Sequence, residues 1–219
     1  IIRSKWAILV FVLGIFLRFY QVEQRTNFTA DQGRDYLLVR QLITERQPTL
    51  LGPKASIGEF FFGPLYYYLL APALILGNFD PLAGSVLTAG FDVLALLIFI
   101  KFFRSPVAAL LYATFPLLVK LVRIPLNPFV TPFFSVMFFG LLSRQSSLGL
   151  GIVSGLLFQL HFSTLPLFFA GLLKQLKHST KFYALAAYVT GFGLGILPIL
   201  LFELRHQFFN LHQIIRYLS

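Results

Sequence analysis

LAGSVLTAGFDVLALLIFIKFF, residues 82–103, is an unbroken apolar run with one acid, Asp92, at its middle. A helix needs about 20 such residues, at 1.5 Å each, to cross a hydrocarbon core of about 30 Å. The run is continuous rather than alternating, which argues against a strand of a membrane barrel. Working outward, similar windows fall at about 6–20, 60–76, 106–121, 129–142, 148–173 and 182–202. Hydrocarbon offers backbone N–H and C=O groups no partner, so a chain with many such blocks must satisfy them within helices. The class predicted is all-α, a polytopic transmembrane helical bundle.

Composition agrees. Charged residues make up 12% of the 219, against the roughly one quarter of a soluble domain, and Phe alone occurs 27 times. The formal net charge of +10 is accounted for by basic loops on the cytoplasmic side and by anionic headgroups, so membrane lipids are the expected partner. No basic stripe interleaved with exposed aromatics is present, and no nucleic-acid partner is expected. There is no cysteine, which excludes disulfides and thiolate metal sites. The chain opens on Ile1 and stops just after an amphipathic stretch, so residues 1–219 are read as a single transmembrane domain forming the N-terminal part of a longer protein.

Connections are short except for residues 21–59, which hold Glu23, Asp31, Asp35, Glu45 and Glu59, five of the eight acids. With Arg3 and Lys5 cytoplasmic, this loop lies outside. If 60–76 only dips into the membrane and 148–173 folds back near His161 and Pro166, only Lys120 and Arg123 are basic exceptions in outer loops. If both segments cross, the exceptions are Lys101, Arg104 and Arg144. The first arrangement is adopted, and it makes 21–81 an extracytoplasmic loop with juxtamembrane helices.

Within that loop, TADQGRDYLLVRQL (29–42) concentrates the charge. Thr29 with Gln32 three residues on is a capping-box pattern, and Leu38, Val39, Leu42 and Ile43 supply an apolar face until Pro48. An interfacial amphipathic helix is predicted over 30–46, with Asp31 in its first turn, where the helix dipole favours the carboxylate. Read blandly, Asp31 and Asp35 are acids that compensate that dipole. Other polar residues fall on the same outer side: Arg123 and Asn127 in KLVRIPLNPF, His161 in FQLHFSTLP, and Glu203, Arg205 and His206 in FELRHQF. Ionisable groups at membrane depth are costly and tend to be functional. Each also has a structural reading: Arg123 snorkelling to headgroups, His161 hydrogen-bonded in the interior, Glu203 ion-paired with Arg205 or His206 at a helix end. Asp92 is expected to face the bundle interior.

The order of these segments, ADQGRDYLLVRQL, then GEFFFGPLYYYLLAP, SVLTAGFDVLALLIFIKFF, RIPLNPFVTPFFSVMFFGLL and GLLFQLHFSTLPLFF, resembles the GT-C superfamily of polyprenyl-phosphate-sugar glycosyltransferases. The nearest branch is that of protein O-mannosyltransferases and bacterial aminoarabinose transferases. It covers nearly all of this chain and the front half of a typical family member. The resemblance implies a catalytic acid in the first outer loop, carried onto Asp31, and a surface-lying Pro-Leu-Tyr segment, carried onto Pro64, Leu65 and Tyr66. Where relatives carry two adjacent acids this chain has Asp31-Gln32, and where they carry a second acid in the next outer loop it offers Arg123 and Asn127. No metal or other cofactor is therefore expected.

The reaction that the resemblance implies is an inverting transfer of sugar from a polyprenyl-phosphate donor to an acceptor hydroxyl on a protein, lipid or glycan. It would occur on the extracytoplasmic side of a multi-pass plasma-membrane protein. Asp31 is assigned as general base. Arg123, with Arg205 or His206 second, is assigned to the leaving phosphate; Glu59 orients sugar or base, and Asp35, Asn127, His161 and Glu203 bind substrate. The tyrosines at 66–68 line the isoprenoid path. Asp31 and Arg123 are expected in one outer cavity. The alternative is a multipass lipid or solute transporter, whose inverted repeats and mid-membrane polar groups the chain shows only in Asp92.

Overall fold

The computed structural model describes residues 5–144, 146–177 and 181–218, which leaves Arg3 outside. These residues form the helices α1 (Lys5–Phe19), α2 (Val22–Arg25), α3 (Ala30–Glu45), α4 (Leu65–Leu76), α5 (Leu82–Phe103), α6 (Pro106–Thr114), α7 (Pro116–Leu121) and α8 (Thr131–Leu142). They continue as α9 (Ser147–Leu160), α10 (Leu165–Leu176), α11 (Lys181–Gly195), α12 (Leu197–Arg205) and α13 (Phe209–Leu218), with short 3-10 turns at Asn127–Val130 and Phe162–Thr164. The only β pairing among them is an isolated antiparallel bridge, Lys54 with Phe61. The fold is all-α. Among the described residues one helix, α5, is long and apolar enough by itself to cross a membrane; Phe182–Gly195 and Leu197–Arg205 reach that length together, bent by 69° at their junction.

The breaks have local causes. Arg104 ends α5 in the left-handed region (φ 51°), the Ser105 hydroxyl accepts the Ala108 N–H at 3.3 Å, and Pro106 opens α6 where no amide hydrogen is needed. The single window expected over 106–121 is cut at Phe115, whose extended backbone (ψ 111°) is what the following Pro116 demands. The window 148–173 is cut at His161. There the chain does turn back: the Ser147 hydroxyl, at the start of α9, donates to Gln175 Oε1, at the end of α10, at 2.7 Å.

Two compact units result. The first comprises residues 1–40 and 70–140. Its core sets Ala7, Leu96, Ile100, Ala109 and Ala113 against Trp6, Phe99 and Tyr112, so small residues let α1, α5 and α6 approach closely. Inside lies an ion pair. Arg18, fully buried near the end of α1, donates through Nε to Asp92 Oδ2 at 2.5 Å and through Nη1 to the Ala113 carbonyl at 2.8 Å, while the Tyr112 hydroxyl donates to Asp92 Oδ1 at 2.6 Å. Asp92 thus faces the interior, and its partner is Arg18.

The second unit comprises residues 41–69 and 141–219. Its centre is the α9–α11 pair, in which a Cβ on Gly151, Gly155, Gly191 or Gly195 would run into the backbone of the facing helix. Tyr188 threads its hydroxyl between Ser154 Oγ (2.9 Å) and the Phe168 carbonyl (2.8 Å), tying α10 to the pair. Gln159 fastens the Gly-Pro-Leu segment to the same pair. Its carbonyl accepts the Gly63 N–H at 2.9 Å, its Oε1 accepts the Leu65 N–H at 3.2 Å, and its Nε2 donates to the Gly195 carbonyl at 2.5 Å.

Candidate functional site

In the first unit, the candidate site begins at α3. The helix starts where its capping box places it: Gln32 reaches back so that its Oε1 accepts the Thr29 N–H at 2.6 Å and the Thr29 hydroxyl at 2.5 Å. The stripe that α3 buries is mostly polar. Gln32, Asp35, Tyr36 and Val39 point inward at a spacing of three and four, whereas Leu38 is exposed and Leu42 and Ile43 are half-buried. Polar groups occupy the inner stripe, so the apolar leucines at 37 and 38 are turned outward.

One guanidinium joins the two acids of this helix. Arg34 donates through Nη1 to Asp31 Oδ1 at 3.2 Å, and through Nε and Nη2 to Asp35 Oδ1 at 3.1 and 3.0 Å. The acids differ in access: the Asp31 side chain is 53% exposed and that of Asp35 is fully buried. Asp31 therefore presents an open carboxylate in the first turn of α3, steadied from one side by Arg34 and by the dipole of the helix. Asp35 is a buried anchor for that arginine.

Tyr36 fixes α3 to the start of α5. Its hydroxyl donates to the Pro81 carbonyl at 2.7 Å and accepts the Gly84 N–H at 2.9 Å. Burial pushes its pKa up to about 12. Gly84 is needed here, because a Cβ would strike both the Tyr36 hydroxyl and Pro125. The loop that carries Arg123 and Asn127 is thereby brought to the end of the unit where α3 docks. Asn127 is buried at the start of its 3-10 turn.

Arg123 does not snorkel. It is 5% exposed and donates to the carbonyls of Arg18 (Nε, 3.2 Å) and Leu17 (Nη2) at the last turn of α1. Burial lowers its pKa, and the nearby positive charges of Arg25 and Arg18 lower it further. It lines a cavity of about 890 Å³ together with Arg25, Lys120 and an apolar wall that includes Phe16, Tyr20 and Val119. Asp31 is not among the residues lining that cavity.

In the second unit, Glu59 is exposed and pairs with Lys54 at 2.6 Å. Tyr66 and Tyr67 are interior, and of the three tyrosines only Tyr68 is exposed, its hydroxyl donating to the Thr49 carbonyl at 2.7 Å. The ring of His161 stacks on Phe62 with centroids 5.1 Å apart. Its Nδ1 accepts the Ser163 N–H at 3.2 Å, which leaves the proton of the neutral ring on Nε2, and burial lowers its pKa. Among the described residues Glu203 makes no ion pair with Arg205 or His206. Its two oxygens accept the N–H groups of Asn210 and Leu211, both at 3.2 Å, which caps the first turn of α13. Arg205 and His206 are exposed, and the His206 ring stacks on Phe202 at 4.1 Å.

Sequence reasoning passed over Arg25, Arg34 and Lys120 as participants. Arg34 was legible as the residue three after Asp31 on one helix face, and Lys120 as the residue three before Arg123. The placement of Arg25 beside that pair depends on how α1 packs on α6 and α7. No family model matches this chain, and no curated protein or solved structure does either.

Proposed function

We propose that the chain belongs to a multi-pass membrane glycosyltransferase of the GT-C type, moving a sugar from a polyprenyl-phosphate carrier to an acceptor hydroxyl at the extracytoplasmic surface. The observation that carries this reading is the division of labour on α3. Of two acids held by one arginine, Asp35 is sealed and Asp31 is open. A carboxylate built only to balance the helix dipole needs no buried second acid to hold its guanidinium partner.

In the reaction, the acceptor oxygen attacks the anomeric carbon as Asp31 takes its proton. The bond from that carbon to the phosphate oxygen breaks, its electron pair leaves with the lipid phosphate, and the anomeric configuration inverts. A positioned general base contributes about 10² to 10⁴ in rate, and in-line placement of donor and acceptor adds to it. Cations of the first unit neutralise the departing phosphate. Support for the membrane setting comes from α5, from the apolar windows along the chain and from exposed large hydrophobics such as Leu9, Leu37, Leu76 and Val107. A transporter would need mobile charge at mid-membrane, and the acid in the middle of α5 is instead bonded by Arg18 and Tyr112.

The test is transfer of labelled sugar from a polyprenyl-phosphate donor by the full-length protein in proteoliposomes. Asp31→Asn is expected to lower the rate at least about a hundredfold with normal insertion. Undiminished transfer by that variant would overturn the assignment.

A further inference from the structure

In the first unit, α4 and α5 are joined by the turn at residues 77–81, and an open groove of about 610 Å³ lies between the end of one and the start of the other. Its floor is set by close contact. A Cβ on Gly77 would lie 2.6 Å from that of Ala83, and the Phe79 N–H donates to the Leu74 carbonyl at 2.7 Å, which holds the turn against α4. The walls are hydrocarbon, from Pro72, Leu76, Leu82, Val86 and Leu87, and Leu76 is 88% exposed. One charged side chain lines the groove, that of Asp80. Its Oδ1 accepts the Leu82 N–H at 2.7 Å, and among the described residues no cation comes within ion-pair distance of it. The residue before it, Phe79, has the Arg40 guanidinium 5.7 Å from its ring centre, so a positive group accompanies the carboxylate at this end of the groove.

Hydrocarbon walls call for a hydrocarbon occupant, and the carboxylate decides what that occupant carries at its end. An apolar helix seated here would shut Asp80 away from water with nothing to neutralise it. An anionic headgroup would meet a like charge. A quaternary ammonium has no N–H to donate, whereas a primary ammonium gives the carboxylate a charge-assisted hydrogen bond. With Arg40 close by, both signs of a zwitterionic head find a counterpart. We propose that this groove holds a phosphatidylethanolamine of the bilayer, one acyl chain lying along Leu76, Val86 and Leu87 and the ammonium on the Asp80 carboxylate. The proposal rests on the membrane setting of the reading above, and neither on sugar transfer nor on the residues assigned to it.

The experiment therefore measures lipid retention. The full chain is placed in nanodiscs of equal phosphatidylethanolamine and phosphatidylcholine with identical acyl chains, and the lipids that stay on the protein as the disc is stripped are counted by native mass spectrometry. Phosphatidylethanolamine is expected to be retained over phosphatidylcholine by at least about threefold. Asp80→Asn keeps an oxygen for the Leu82 N–H while removing the charge, and should bring the two lipids to parity. Val86→Trp, at an exposed position of α5, fills the groove and should also abolish the preference. Asp31→Asn should behave as the parent does. Equal retention by the parent, or a preference unchanged in either groove variant, overturns the site. So does a second copy of the chain seated on the groove, seen as a dimer that Val86→Trp dissolves. A parent chain that does not insert into the disc refutes the membrane setting and the groove with it, whereas insertion without the preference refutes the groove alone.

Discussion

The two units solve the same problem with different chemistry. The first buries ions, with Arg18, Asp35, Asp92 and Arg123 all inside; the second holds its interior with neutral groups, Ser154, Gln159, Gln175 and Tyr188, and with glycines at the α9–α11 crossing. Among the described residues Glu203 is the one buried ion of the second unit, and it serves as a helix cap. Close backbone contact holds helices together whether the surroundings are water or lipid, because it relies on dispersion and not on expelling solvent. Buried charge is a poor way to gain stability, so where it is kept it points to a need for charge at that place. Of the residues that the proposed function draws on, Asp31 and Arg123 sit in the unit with the costlier interior.

The largest expected effect breaks the ionic half of this contrast. Asp92→Ala leaves the Arg18 guanidinium buried without its carboxylate and should destabilise the protein by about 3–5 kcal/mol in detergent unfolding followed by circular dichroism. Replacing both partners, Arg18→Met with Asp92→Leu, should recover most of that loss. If the single variant is as stable as the parent, the pair is not what holds the end of α1, and the contrast collapses.

Next comes the close-packed half. Gly155→Leu places a side chain where the Gly195 backbone lies 2.7 Å from even a Cβ, so α9 and α11 must separate. Overpacking of this kind costs about 1–3 kcal/mol, or more where backbone has to move. The same measurement on Gly90→Leu, where a Cβ would meet nothing within 4 Å, should show little change, since α5 is open there.

How much of this was readable beforehand depends on the range of each interaction. The start of α3 was legible, because a capping box is complete within four residues, and the bounds of α5 were legible from length and hydropathy. The turn at His161 was legible from one polar residue followed by a proline. The inward face of α3 was not. The pattern marks an apolar face for an interfacial helix, of which Val39 is buried and Leu38 exposed, and it carries no sign that Gln32 and Asp35 share the inner stripe. The partner of Asp92 lies 74 residues away and Arg123 clasps carbonyls 105 and 106 residues away, distances at which spacing carries no information. For Glu203 the structural alternative to a substrate contact is an ion pair with Arg205 or His206, two and three residues on. Glu203 caps α13 instead, since backbone N–H groups at a helix start have no other partner.

A smaller effect sharpens the docking of α3 through pH. Tyr36 has its pKa raised to about 12 in the fold, against an ordinary value of 10.0, so the protonated form is the one the fold prefers. Its contribution is fully present below pH 10 and is lost as pH rises through about 12. Thermal midpoints should therefore fall across that alkaline window in the parent, and Tyr36→Phe should lose part of the fall. The variant should also be less stable at neutral pH by about 0.5–1.5 kcal/mol, from the loss of the bonds with Pro81 and Gly84.

The smallest effect is the most useful for deciding between structure and chemistry. Lys54 and Glu59 form an ion pair in solvent, with the Glu59 side chain 69% exposed, and such pairs contribute about 0–1 kcal/mol. Glu59→Gln should leave the unfolding midpoint nearly where it was. Since its stability is not at stake, a loss of sugar transfer in that variant would have to come from contact with substrate, and a KM that rises while kcat holds would place the contact in the ground state. If transfer is unaltered, Glu59 belongs to the surface and the proposed base remains on α3.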